Sequence, residues 1–486
     1  MTRLEVLLHI LPALGIALLG AACVQAEAPG APSGEPFPGY TLYAPNFSRT
    51  TYLVDMAGRV VHTWESEYEP GQSAYLLENG HLLRTACVGP ANRTFRGGGA
   101  GGRIQEFTWD GELVWDFELS TDRHLLHHDV ERLPNGNVLM IAWERKTAEE
   151  ALAAGRDPEL VKGRDLWSDC IFEVKPTGPT SGEIVWSWHV WDHLVQDRDP
   201  SRANFGELGE NPGRIDVNHV RWAEQTSRRD WDRLEGLGYV SSSRSRRLNP
   251  DWIHTNSIDY HPGLDQIVLS VLGFNEIWIV DHGTTTAEAA GRSGGKRGRG
   301  GELLYRWGNP AAWGMGTEDD RQLFFQHDAT WIPEGRPGAG HILLFNNGRG
   351  RPGGDHSSVD EVPTPLTPVG LYHRDAGKPF GPAGPIWRYV APEKETFYSE
   401  HISGAERLPN GNTLVCSGAR GEIFEVSPSG AVVWRHTYEP SPDDDHARRP
   451  RRGPDGRAAP ARSVFRAYRY PIDHPALRNL TNRETE

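Results

Sequence analysis

A repeat limits what this chain can fold into more than any other feature. Six stretches share one pattern: TYLVDMAGRVVHTW (51–64), RIQEFTWDGELVWDF (103–117), CIFEVKPTGPTSGEIVWSW (170–188), NEIWIVDH with GELLYRW (275–282, 301–307), SVDEV with GPIWRY (358–362, 384–389) and EIFEVSPSGAVVWRH (422–436). Each is an apolar strand bearing one acid (Asp55, Glu106, Glu173, Asp281, Glu361, Glu425), then a turn or loop, then a strand with aromatics two apart. Trp186 and Trp188, or Tyr305 and Trp307, have the period of two that puts both rings on one sheet face. A second kind of hairpin precedes the later copies, as in SAYLLENGHLLRTA (73–86), HDVERLPNGNVLMIAW (128–143) and HISGAERLPNGNTLVCSG (401–418). Its Asn-Gly pairs suit the positive φ angles of tight turns. Two successive hairpins make a four-stranded unit, which cannot bury both faces alone and must stack on its neighbours. The expectation is therefore an all-β, six-bladed β-propeller. SVFRAYRY (463–470) supplies the inner strand of the blade completed by residues 40–64, so both chain ends close the ring.

The rest of the chain sets boundaries. Residues 1–26 combine Arg3, an apolar run from Val6 to Leu19 and small residues before Ala26, the pattern of a cleaved export signal. Broken by His9 and Pro12, the run is short for a membrane span, and no other segment could cross a bilayer. A lipid on Cys23 is the variant of this reading, and the destination is the periplasm or the exterior. The propeller is expected over 36–475, with a polar insertion at 192–252, to which no function is assigned, and a tail at 476–486. The formal charge of −14, with basic residues scattered apart from patches near 244–247 and 448–452, excludes nucleic acid as a partner. Past the signal the cysteines number three, Cys87, Cys170 and Cys416, without zinc-site spacing, which reads as buried thiols.

In a propeller the first strand of every blade lines the central channel, and these strands run the same way, so their first residues gather at one mouth. His128, His254, His327 and His401 begin that strand in four blades. One such histidine is ordinarily a strand-start residue bonding a carbonyl. Four at equivalent places indicate a site, because apolar side chains would fill the space better. Register leaves some choice: Ser403 rather than His401 aligns with His128, and Asn256 can occupy the slot of His254. Arg349 and Arg351 follow in the Gly-rich NNGRGR, and a guanidinium is a fixed fork of donors matched to the oxygens of sulfate, phosphate or carboxylate. With only Asp129 and Asp328 beside the histidines, an anion fits this mouth better than a hard cation. Two rival readings remain: a lyase or oxidase using the histidines as metal ligands, and a non-catalytic anion-binding propeller.

The blocks HTNSIDYHPGLDQIVLSV, FNEIWIVDH, LLYRWGNP, FQHDATWIP through FNNGRGR, and ISGAERLPNGNTLVCSG with FEVSPSGAVVW resemble the bacterial arylsulfate sulfotransferase family over roughly 36–475. The resemblance implies a periplasmic propeller that moves a sulfuryl group from a small aryl sulfate donor to a phenolic acceptor. It implies no nucleotide donor, no metal and no other cofactor. It also implies a histidine that is transiently sulfated while other histidines and an arginine hold the sulfuryl oxygens. By order along the chain, His401 matches the nucleophile, with His327 the second choice. His254 and His327 match the assisting histidines and Arg349 or Arg351 the arginine, while His128, Asn256, Ser403 and Arg351 line the substrate. About ten residues separate the signal from the first strand, where better known members carry an extra β-domain for dimerisation, so a monomer is expected. Water as final acceptor would make a hydrolase with the same first half-reaction.

Overall fold

A computed structural model describes residues 34–46, 48–220, 250–440, 451–452, 458–459, 462–478 and 480. The export signal with Cys23, residues 221–249 of the 192–252 insertion and most of the tail lie outside the described residues. The chain is all-β, with its sheets arranged in a ring like the blades of a propeller. The strands β1 (Gly39–Pro45), β2 (Thr50–Val54) and β3 (Val60–Glu65) are followed by β4 (Pro70–Leu76), β5 (Leu82–Cys87), β6 (Gly102–Phe107) and β7 (Leu113–Glu118). Next come β8 (His124–Arg132), β9 (Val138–Lys146), β10 (Leu166–Gly178) and β11 (Ser181–His189). A two-residue parallel pair, β12 (Leu194–Val195) and β13 (Ile215–Asp216), leads to β14 (Thr255–His261), β15 (Gln266–Val271), β16 (Glu276–Asp281) and β17 (Tyr305–Trp307). The series continues with β18 (His327–Trp331), β19 (Ile342–Asn346), β20 (Ser358–Val362) and β21 (Trp387–Tyr389). It ends with β22 (Gly404–Arg407), β23 (Thr413–Ser417), β24 (Glu422–Val426), β25 (Val432–Thr437), the short β26 (Arg451–Arg452) and β27 (Ala458–Ala459), and β28 (Val464–Pro471).

Four sheets are four-stranded antiparallel meanders: β28-β1-β2-β3, β14 to β17, β18 to β21 and β22 to β25. The first is closed by β28 pairing antiparallel with β1, so residues near both ends of the chain share it. The sequence pattern predicts six separate blades, and here the structure differs. Strands β4–β7 and β8–β11 belong to one eight-stranded sheet, because Gln72 pairs with His128 and joins the two meanders through β4 and β8. The join is a single parallel bridge between inner strands that approach closely at one level.

Packing follows the sequence periodicity. Trp64 is buried with Leu82 and Trp109 between the first two meanders, Trp115 and Phe117 with Met140 and Phe172 between the next two. Trp186 and Trp188 lie with Ile267 and Trp278, and Tyr305 and Trp307 with Ile342 and Leu344. Each buried ring contributes roughly 1.5–3 kcal/mol of apolar burial, which the meander that carries it could not collect alone. The repeated acids latch neighbours together. Glu106 pairs with Arg132 on β8, Glu361 with Arg407 on β22 (2.7 Å) and Glu425 with Arg469 on β28 (3.5 Å). Asp55 and Asp281 depart from this, Asp55 bonding Ala57 N and Arg59 of its own turn and Asp281 accepting from the backbone of Gly283 and Arg297 (both 3.1 Å).

The inner strands β28, β4, β8, β14, β18 and β22 each contact the next and close a ring. Splayed around an axis they cannot pair along their length, so side chains take up their backbone donors. Asp129 accepts from Ile258 N (3.2 Å), Asp259 from Trp331 N (2.7 Å), Asp328 from Ala405 N (2.9 Å) and Glu406 from Arg469 N (2.8 Å). Arg466 of β28 lies among them, ion-paired to Asp129 (2.7 Å) and Asp328 (3.0 Å) and donating to Asn256 O (2.6 Å). The two carboxylates beside the histidines thus share one buried arginine that the sequence reading did not single out.

Candidate active site

The inner strands are bulged where they reach the histidines. Register shifts fall between Pro70 and Ala74, Leu126 and Val130, Thr255 and Ser257, and His327 and Thr330. Residues at or beside these bulges take positive φ without being glycine: Gln72 (136°), His128 (56°), His254 (52°), Asp328 (58°) and, before β22, Ile402 (48°) and Ser403 (91°). A left-handed conformation costs a β-carbon-bearing residue about 1–2 kcal/mol, and repeated strain of this kind marks positions where side-chain direction matters more than stability.

The bulges bring the rings of two of the histidines, His128 and His254, together. The rings of His128 and His254 meet edge to face with centroids 4.7 Å apart. Burial, followed by the charges of His254, His127, His327 and Arg466, holds His128 well below the usual imidazole range. His327 is likewise pushed down to about 3, by burial first and then by His254, Arg466 and His401, although its bond to Asn347 works the other way. His401 is half-buried in the bend before β22, where its carbonyl accepts from Ser399 Oγ (3.2 Å) and Ser403 Oγ (3.3 Å).

Acceptors around the rings fix their tautomers. His254 Nδ1 bonds a carboxylate oxygen of Asp251, an acceptor when ionised, so Nδ1 carries a proton and in the neutral ring the lone pair is on Nε2. His327 Nδ1 lies 3.1 Å from Phe325 O and 2.7 Å from Asn347 Oδ1. The Asn347 amide is oriented because its Nδ2 donates to Ser399 O (2.7 Å) and Ile402 O (2.9 Å). His327 therefore also has its lone pair on Nε2. Asp251 is itself held by Trp143 Nε1 (3.1 Å), and Asp169 accepts from Thr255 N (2.8 Å) while lying 3.5 Å from His127 Nε2.

The remaining candidates divide. The Arg349 guanidinium lies 5.4 Å from the ring centre of Phe325, two residues before His327. Arg351 is committed to β20, donating to His356 Nε2 (3.2 Å) and Ser358 Oγ (2.8 Å), and burial lowers it to about 10, still charged at neutral pH. Asn256 spans two inner strands, its Nδ2 donating to Gln326 O (2.8 Å), and buried Ser403 bonds Ser399 Oγ (2.8 Å) and accepts from Gly418 N (3.0 Å). Both hold backbone. Sequence reasoning missed His127, Asp169, Asp251 and Asn347. His127 and Asn347 stand beside residues it did select, and Asp251 lies at the end of the insertion left without a function.

Among the described residues, the side chains with metal-ligand spacing are His124, Glu144 and Cys170, a set that shares none of the channel histidines. Lys146 Nζ sits 2.7 Å from Glu144 Oε1 there. Cys87, Cys170 and Cys416 are free thiols.

Fold and site together define a propeller-like β-protein with tautomerically fixed imidazoles on its inner strands. Residues 39–439 match the family model described as Arylsulfotransferase (ASST), and the chain belongs to this family. Membership supports sulfotransferase activity on small molecules at the level of the family. No curated protein matches the chain. Among solved structures it is similar to a protein of unknown function from Bacteroides caccae (TM-score 0.43, 10% identity, covering 88% of this chain and 98% of that one). A periplasmic gluconolactonase from Pseudomonas aeruginosa gives 0.39 and 10%, covering 82% and 95%, and the Cps50 β-propeller domain of Myceliophteria thermophila 0.36 and 9%, covering 83% and 86%. Likenesses this distant carry no functional argument. No helix among the described residues is long and apolar enough to cross a membrane.

Proposed function

We propose that this chain is an exported arylsulfate sulfotransferase, which moves a sulfuryl group from a phenolic sulfate ester to a phenol by a ping-pong route through a sulfohistidine. We read the eight-stranded sheet as two blades, which makes six around the axis. The observation that carries the proposal is the meeting of the buried His128 and His254 rings from neighbouring inner strands, with the arginine Arg349 beside the turn that leads into His327. Neutral imidazole is a competent nucleophile toward sulfur, and Arg349 supplies fixed positive charge for the sulfuryl oxygens as the S–O bond breaks. His254, with Asp251 on Nδ1, can take on positive charge and donate from Nε2 to the same oxygens. His401 is the proposed nucleophile. His327 is the second choice, favoured by one observation: Asn347 and Phe325 O fix its lone pair on Nε2.

The test is incubation with 4-nitrophenyl sulfate, with and without phenol. Nitrophenol release that depends on phenol is expected; release without it indicates a hydrolase, and none in either case refutes the proposal. His401→Ala and His327→Ala should each abolish turnover with the fold intact, and the one that also prevents a stable SO3 adduct identifies the nucleophile. N-terminal sequencing of the exported protein should begin after Ala26.

A further inference from the structure

Two carboxylate arms reach the histidine pair, and the transfer chemistry above uses only the one from Asp251. The other runs Asp169, His127, His128. Asp169 Oδ1 lies 3.5 Å from His127 Nε2, and His127 Nδ1 lies 2.8 Å from His128 Nδ1. All three side chains are buried, at 2%, 0% and 3% exposure, so protons do not leave this line to solvent along its length. His127 stacks on Trp143, centroids 4.4 Å apart and planes 11° from parallel, and that indole's Nε1 is anchored to Asp251. An imidazole clamped face-on to an indole and aligned edge-on with a second imidazole is positioned, and an indole face also favours positive charge on the ring above it. A nitrogen-to-nitrogen contact of this length needs one donor and one acceptor, so the two rings together have one mobile proton between their Nδ1 atoms.

We propose that Asp169, His127 and His128 form a proton relay that stores the phenolic proton between the two half-reactions. In the loaded state His127 carries protons on both nitrogens, its charge balanced by Asp169, and His128 carries one on Nε2. When the S–O bond of the donor breaks, the leaving phenolate takes the proton from His128 Nε2, the His127 Nδ1 proton passes to His128 Nδ1, and His127 becomes neutral with its remaining proton on Nε2. The sulfated intermediate forms with the relay empty. The acceptor phenol then loses its proton to His128 Nε2, the His128 Nδ1 proton returns to His127, and the phenolate oxygen bonds sulfur as the nitrogen–sulfur bond breaks. Each proton released in one half-reaction is regained in the other. The relay explains why two histidines stand in sequence where one would contact substrate. Burial and its histidine neighbours keep His128 itself neutral, and the carboxylate that faces the other ring, His127, is Asp169. His128 is the catalytic residue in this scheme, and His127 and Asp169 act through it.

This inference rests on the sulfotransferase reading, and leaving-group dependence tests it separately. With a common phenol acceptor, His127→Phe keeps the stacking on Trp143 and removes both nitrogens. It should lower kcat/KM for 4-nitrophenyl sulfate, whose phenolate leaves readily without a proton, by less than about fivefold. For phenyl sulfate the loss should be on the order of 10²–10⁴, the range general acid catalysis supplies. Asp169→Asn, which keeps an acceptor for Thr255 N, should show the same selectivity in smaller degree and serves if His127→Phe does not fold. Equal losses on the two donors, or none on either, would overturn the relay and leave the sulfotransferase reading standing. Absence of transfer by the unaltered protein would overturn both.

Discussion

Asp251→Asn is the substitution on which the two kinds of role a buried carboxylate can play diverge most. The Asp251 side chain is 1% exposed and meets His254 Nδ1 with one oxygen and Trp143 Nε1 with the other. Asparagine matches it in size and can still accept from Trp143. Its amide nitrogen, however, would then face His254 Nδ1 as a donor and drive the ring proton to Nε2, so the ring would offer the wrong nitrogen. The variant also lacks the negative charge that balances a proton gained by His254. Breaking a buried charge pair by removing one partner typically costs about 3–5 kcal/mol. If that cost appears in the transition state alone, at 1.36 kcal/mol per decade, kcat falls by about 10²–10⁴. The assay is phenol-dependent nitrophenolate release from 4-nitrophenyl sulfate, with thermal unfolding measured on the same preparation. Retention of kcat within about fivefold, or a loss matched by a large drop in Tm, would refute the claim that Asp251 sets the state of His254 during turnover.

Three further outcomes follow from other parts of the structure. A β-carbon at Gly99, whose φ is +83°, would overlap the His128 ring, so Gly99→Ala should displace the ring, lower kcat about 10-fold or more and also lower Tm, since the positive φ alone costs about 1–2 kcal/mol; unchanged kcat in steady-state kinetics would count against a role for the His128 ring position. Arg466→Met leaves Asp129 and Asp328 buried without their cation, and should destabilise by about 3–5 kcal/mol in urea titration, with an unchanged midpoint counting against the axial role given to Arg466. Burial opposes charge on His282, but Asp265 and Glu173 override it and raise the ring to about 9. A group raised on folding stabilises most below its unfolded value of about 6.5, so up to about 3 kcal/mol should be present at pH 6 and lost as pH rises through 9, and His282→Gln should flatten the pH dependence of Tm over that window.

What the sequence carried and what it withheld have physical causes. Strand alternation and Asn-Gly turns are local, so the meanders, the closing strand 464–471 and the aromatic packing between sheets were legible from spacing alone. The fused sheet was not, because a single bridge between Gln72 and His128 depends on how closely two inner strands approach, which no local pattern encodes. The histidines were singled out because the repeat places inner strands side by side, although only His327 begins its strand, and the residues bonded to their rings escaped. Asp251 and Asp169 come from an insertion and from a neighbouring strand, and their effect requires knowing which nitrogen they face. The acids on the inner strands, Asp129, Asp259, Asp328 and Glu406, prove to bond the backbone of the next inner strand, the first and third of them also pairing with Arg466. Repetition in this chain therefore marks what the ring needs in order to close. The departures from repetition, His127 beside His128 and Asp251 ahead of His254, are the residues that reach the ring nitrogens, and it is on them that the proposed proton handling rests.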